Sequence, residues 1–181
     1  SQSVPDRPAT ESSQADLAAK AGAPLLEGLG EFTYPISSKE PGVQRYFDQG
    51  MIMAAGFNHA ESVRAFRAAQ RLDPECAMCF WGEALAIGPN INVTSKGKAI
   101  MMPEDRKAAF AAVQKAQSLS SMATQKERDL INAQSARYNG DPESDRDSLD
   151  LAYANAMREV AAKYPEDDNV QAMLAAAMMN T

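Results

Sequence analysis

The sequence predicts an all-α chain of about seven helices packed as short antiparallel pairs, and three observations carry that reading. From Ser37 onward apolar residues recur with a period near 3.6, the pattern of amphipathic helices. These stretches are short and divided by Pro- or Gly-marked turns too tight for anything but antiparallel neighbours. Phe, Tyr and Trp make up only 7% of the chain, which favours thin cores between closely approaching Ala- and Met-rich helices. At 181 residues there is room for one ordinary core or for a short stack of helix pairs.

Charge narrows the function classes. A formal charge of −6 without a basic stripe excludes nucleic acid, because phosphate binding needs clustered Lys and Arg. No run of 18 apolar residues is present, so no membrane-spanning helix is expected.

Residues 1–36 are rich in Ser, Pro and Ala and lack sustained periodicity, which predicts an N-terminal arm, partly extended or disordered. Within it, Phe32, Tyr34 and Ile36 alternate onto one side, as in an extended strip laid against the first helices. A chain beginning at Ser1 without Met suggests that a preceding piece was removed. Cleavage of a signal peptide, hence a periplasmic or exported protein, fits this start; so does a simply shortened chain, with a cytoplasmic protein the other localisation.

Residues 37–181 read as the helical domain. Ser38 is the expected cap of a helix entered through Pro41, whose stripe is Val43, Tyr46, Phe47, Gly50, Met53 and Ala54. After a turn at Asn58, the next helix carries Val63, Phe66, Ala69 and Leu72 and ends before Pro74. A third, from Glu75 to about Ile87, presents Met78, Trp81, Gly82 and Leu85 and stops at Gly88-Pro89-Asn90.

The spacing then repeats. Tyr46, Gly50 and Met53 recur as Met78, Gly82 and Leu85, while Ser62, Phe66 and Pro74 recur as Tyr153, Met157 and Pro165. This resembles the tetratricopeptide repeat, most clearly from Tyr46 to Leu85, with Gln49 and Trp81 where Leu is usual and Ser62 where Ala is usual. The resemblance implies a divergent bacterial-type member of that family, folded as a right-handed alpha-alpha superhelix of three helix pairs and an unpaired last helix. It also suits an N-terminal piece of a longer array. Gly50 and Gly82 become points of close helix approach, with Phe66 filling the gap between them.

The second unit is stretched by residues 88–102, read either as a rim or lid over the concave surface or as a tolerated loop. A helix then opens at Pro103 with Glu104 and Asp105 in its first turn. Thr124 and Glu127 form a capping box before Leu130, Ile131, Ala133 and Tyr138. The partner helix, from Ser144 or Asp145 to Tyr164, turns Leu149, Ala152, Tyr153, Ala156, Met157 and Val160 inward. Asp168 starts the last helix, whose Met173, Leu174, Ala177 and Met178 call for cover from a following helix or from self-association with a second copy.

Cys76 and Cys79 lie three apart at a helix start. A local disulfide, a half-site for a soft metal and a pair of packed thiols are all open to them. Two Cys and one His cannot complete a structural zinc site without carboxylates, and no His follows Cys79 as haem attachment requires. Copper held by Cys76, Cys79 and His59 is the least poor metal fit; otherwise no cofactor is expected. The alternative for His59 is a turn histidine satisfied by a nearby carbonyl or carboxylate. No triad assembles around His59, Lys96-Gly97-Lys98 lacks a phosphate-loop pattern, and Asp141 to Asp150 lacks calcium-loop spacing and reads as a solvated loop and helix start. No catalytic residue is named, and the chain reads as a non-enzyme.

The resemblance implies protein or peptide recognition in a concave groove. Its expected lining is Gln44, Phe47, Met51, Cys76, Cys79, Glu83 and Asn90, from the first helices of successive units. An apolar or basic segment suits it better than an acidic one, since no Lys/Arg pair falls at groove positions. The alternative function is a copper-binding or thiol redox module centred on Cys76 and Cys79.

Overall fold

The computed structural model describes residues 9–95 and 98–181, with side chains described over 14–89 and 101–181. Among these, the chain runs through α1 (Ala9–Ala21), α2 (Val43–Ala55), α3 (His59–Leu72), α4 (Ala77–Ile87), a hairpin of β1 (Asn90–Ser95) and β2 (Lys98–Ile100), then α5 (Pro103–Ser118), α6 (Gln125–Ser135), α7 (Arg146–Lys163) and α8 (Asp168–Met178). Helix α2 packs on α3, α4 on α5, α6 on α7, and α8 lies against α7. Contacts between α2 and α4, and between α4 and α6, set the first helices of the pairs side by side. The result is an all-α helical-repeat architecture with its helices packed in successive pairs.

Local signals explain most boundaries. Asn58 accepts from the Glu61 amide to start α3, and the Thr124–Glu127 capping box closes both ways at α6. Pro103 opens α5, with Glu104 and Asp105 at its positive end. Asp145 and Asp167 cap α7 and α8. Helix α2 departs from the expected start: its N-cap is Gly42, in the left-handed region at φ 85°, not Ser38. The Ser38 hydroxyl instead donates to the Asp73 carboxylate at the end of α3, 2.5 Å away.

Two elements differ from the periodicity reading. Ala9–Ala21 is helical, because its Ala content supplies propensity although it carries no continuous apolar stripe. Leu17 packs on the core, Ala21 is buried, and Arg71 Nε donates to the Ala21 carbonyl. In the inserted segment, β-branched Ile91, Val93 and Thr94 favour pairing over loop, and β1 pairs antiparallel with β2. Whether side chains of that hairpin cover anything lies outside the described residues.

The core is continuous along the stack. Phe66 of α3 sits between Gly50 and Gly82, and Phe47 meets it edge-on at 5.3 Å while stacking on Trp81 at 6.3 Å. Ser62 is fully buried, and its hydroxyl donates to the Gly50 carbonyl at 2.7 Å. Further along, Leu130, Ile131, Tyr153, Met157 and Val170 extend the same core to α8. At the end of α8, Met178 and Met179 are exposed.

Candidate functional site

The first helices of the pairs present a common face, and the chain itself covers part of it. Between α1 and α2 the backbone is neither helical nor stranded, so its polar groups need partners other than a ladder. Side chains of α2 and α6 supply them. Tyr46 donates to the Ala23 carbonyl, Gln49 brackets Pro24 and Leu26, and Gln44 donates to the Tyr34 carbonyl while accepting from the Ile36 amide. Asp48 accepts from the Tyr34 amide at 2.8 Å and the Thr33 hydroxyl at 3.1 Å, and Glu127 accepts from the Ser37 amide at 3.0 Å.

The arm has one anchor. Tyr34 is 2% exposed, its ring 5.9 Å from that of Phe47 and beneath the Lys126 ammonium, also 5.9 Å from the ring centroid. Burial, followed by the nearby charges of Asp167 and Glu127, pushes its phenol well above the ordinary tyrosine range, so it stays protonated. Phe32, by contrast, is 41% exposed and Ile36 half-buried.

Beyond Phe32 the same face opens into a cavity of about 370 Å³. Met51 of α2, Leu85 of α4 and Met173, Ala176 and Ala177 of α8 form apolar walls. Phe57 stands at the mouth, 53% exposed, with its backbone in the left-handed region at φ 60°, a rare conformation for an aromatic residue. Polar residues join the lining, among them His59, Arg137, Asn169 and Asn180. His59 Nδ1 lies 3.0 Å from the Ala86 carbonyl, which can only accept, so Nδ1 carries the proton. Arg137 lies over the Tyr153 ring at 4.7 Å and donates through Nε to Asp150. Buried Tyr138 donates to the Gly88 carbonyl, and burial pushes its phenol up to about 12; Tyr153 is raised for the same reason.

The residues expected to line one groove take separate positions. Gln44 faces the arm, Phe47 is wholly buried beneath it, and Met51 lines the open cavity. Glu83 turns toward α3, where Arg67 Nε and Gln70 Nε2 donate to it at 3.0 and 2.6 Å. The side chain of Asn90 lies outside the described residues. Cys76 and Cys79 form a disulfide at the start of α4, buried in the core, with the Cys76 sulfur accepting from the Cys79 amide.

That bridge argues against a free-thiol metal site. It also lies far from His59, which meets α4 at Ala86, ten residues beyond Cys76 and so roughly 15 Å along the helix. Among the described residues no cluster of three or more His, Cys, Asp or Glu is placed to hold a metal ion.

Sequence reasoning missed the polar side chains that matter most on this face. Asp48 is indistinguishable in sequence from a solvent-facing acid, while Gln49 reads only as a substitute for a usual Leu and Glu127 only as a capping residue; their bonds to the arm depend on its folded path. Arg137 follows the end of α6, off the helical faces where a groove cation is sought. The one legible signal was the spacing of Arg146 and Asp150, an i,i+4 ion pair that the Asp141 to Asp150 stretch conceals among exposed acids. No protein-family model, curated protein or solved structure matches this chain.

Proposed function

We propose that this chain is a protein- or peptide-binding scaffold of the tetratricopeptide kind, taking a non-helical segment across the first helices of its pairs. The observation that supports it is the chain's own arm. From Ala23 to Ser37, backbone groups are held by Tyr46, Gln49, Gln44, Asp48 and Glu127, while one aromatic side chain, Tyr34, is buried. Such a face recognises backbone direction through polar side chains and selects sequence through a single aromatic anchor. Its role on this reading is binding, not catalysis. The Cys76–Cys79 disulfide supports an oxidising compartment such as the periplasm.

The test is to loosen the arm without removing it. A Tyr34→Ala chain, panned against a peptide display library, should enrich segments carrying one aromatic residue, and a Tyr34→Ala/Asp48→Ala chain should not. Absence of any enrichment by the Tyr34→Ala chain overturns the proposal.

A further inference from the structure

The open cavity is apolar on its walls and positively charged at one end, and that positive charge is undercompensated. Arg137 and Arg146 share a single carboxylate, Asp150, at 3.3 and 2.9 Å. Guanidinium groups remain protonated in proteins, so in these ion pairs two permanent cations meet the one carboxylate of Asp150. Their side chains are 5%, 9% and 3% exposed, which leaves little water to screen the excess. The neighbouring phenols of Tyr138 and Tyr153 do not supply the missing charge, because burial keeps both protonated.

Arg137 shows the same shortfall in hydrogen bonding: its Nη2 is buried without a partner, and a buried N–H left unpaired is unfavourable. His59 Nε2 and Asn180 Oδ1, from two other residues of the same lining, are also buried and unpartnered, but both are acceptors and call for a donor such as water, not for the anion. Among the described residues no Asp or Glu lines the cavity, so no carboxylate there attracts a cation. The excess is one charge and the free donor is one guanidinium nitrogen, which suits a monoanion better than a phosphate dianion. A volume of about 370 Å³ falls within the range of small-molecule sites and equals about a dozen water volumes, room for a chain of roughly ten carbons.

We infer that this cavity binds a small apolar monocarboxylate, with the carboxylate at Arg137 and the hydrocarbon body along Met51, Leu85 and Met173. The cavity lies on the same face as the arm, beyond it, and Phe32 borders it.

Calorimetric titration of the full chain with decanoate, below its micelle concentration, tests this directly. One decanoate should bind per chain, about ten- to hundredfold more tightly than decanol, as expected for a hydrogen bond to a charged group. Arg137→Gln should remove that preference. Because this variant disturbs the Asp150 pair, Ala176→Trp serves as the second: Ala176 is an exposed position of α8, and the indole fills the cavity with the ion pairs intact. Ala176→Trp should weaken decanoate binding at least tenfold with an unchanged thermal melt. Equal binding of decanoate and decanol overturns the inference, as do several decanoates per chain or full binding by Ala176→Trp. Binding of a short peptide with an apolar C-terminal residue, but not of decanoate, would likewise overturn it and assign the cation to a peptide terminus.

Discussion

The ring of Phe66 occupies the space that a side chain at Gly82 would need: a Cβ built there falls 2.2 Å from Phe66 Cε1. A Cβ on Gly50 falls 2.7 Å from Phe66 Cζ, so the two helices flanking α3 both depend on this ring. Phe66 is fully buried, and a close-packed core offers a ring little room to shift. Gly82→Ala should therefore destabilise by about 1–3 kcal/mol through overpacking, and Phe66→Ala by about 3–5 kcal/mol through the cavity it leaves. In urea melts the double variant should cost less than the sum, because the truncated ring no longer meets the new methyl group. Additive costs would mean that the two positions do not share this contact.

Asp48 should act as the main polar fastening of the arm. It is 9% exposed and accepts from the Tyr34 amide, the Thr33 hydroxyl and Gln44 Nε2. Asp48→Ala should cost at least about 1.5–3 kcal/mol, the range for bonds to a charged group. Limited proteolysis should then cut between Ala23 and Ser37 well before the helices, at protease concentrations that leave the wild-type arm intact.

The Asp167–Lys126 pair gives a pH signature. Burial raises the Asp167 pKa, but hydrogen bonds from Lys126 and the Val170 amide outweigh it, so the folded value lies below the ordinary 3.8. A depressed folded pKa stabilises above the unfolded pKa, and that contribution disappears as pH falls through the folded pKa. Asp167→Asn preserves the cap of α8 and removes only the charge. The pair is partly exposed, so the variant should lose no more than about 1 kcal/mol at neutral pH. Urea melts should show the difference closing as the pH drops below 3.8. A constant difference down to acid pH would exclude the ion pair as its source.

The cysteines should be silent in the native state. Cys79 is fully buried and bonded to Cys76. Intact mass after alkylation should show no addition to the native or merely denatured chain, and two additions once it is denatured and reduced. Cys76→Ser loses the bridge but offers a good N-cap oxygen, and the closed loop is very short, so the loss should fall below the usual ~2–4 kcal/mol of a disulfide.

The helical stack was largely legible because its determinants are local and periodic. Phe66, Gly50 and Gly82 recur at repeat spacing, and Thr124 with Glu127 is a capping signal within four residues. What escaped was non-local. Glu127 serves as a capping residue and also binds the Ser37 amide, a second role that only the folded path of the arm creates. Glu83 shows the converse: helical phase alone suggested a groove residue, yet Arg67 and Gln70 of the preceding helix claim it. The cation cluster brings Arg137 across the turn after α6 to the i,i+4 pair Arg146 and Asp150 of α7, and no periodicity links Arg137 to that pair.

The bond from Ser37 to Glu127 crosses 90 residues and changes how the stack holds together. In an ordinary solenoid each unit meets only its neighbours, so the ends fray independently. Here the arm is fastened to α2 through Asp48 and to α6 through Glu127, a strap across three successive first helices, with α7 and α8 lying beyond it. Opening α2 or α6 then breaks arm contacts shared with the other, and fraying of this part of the stack becomes a concerted event. Hydrogen exchange in α2 and α6 should follow a single opening free energy, a cooperativity that an unfastened stack of these short helices lacks.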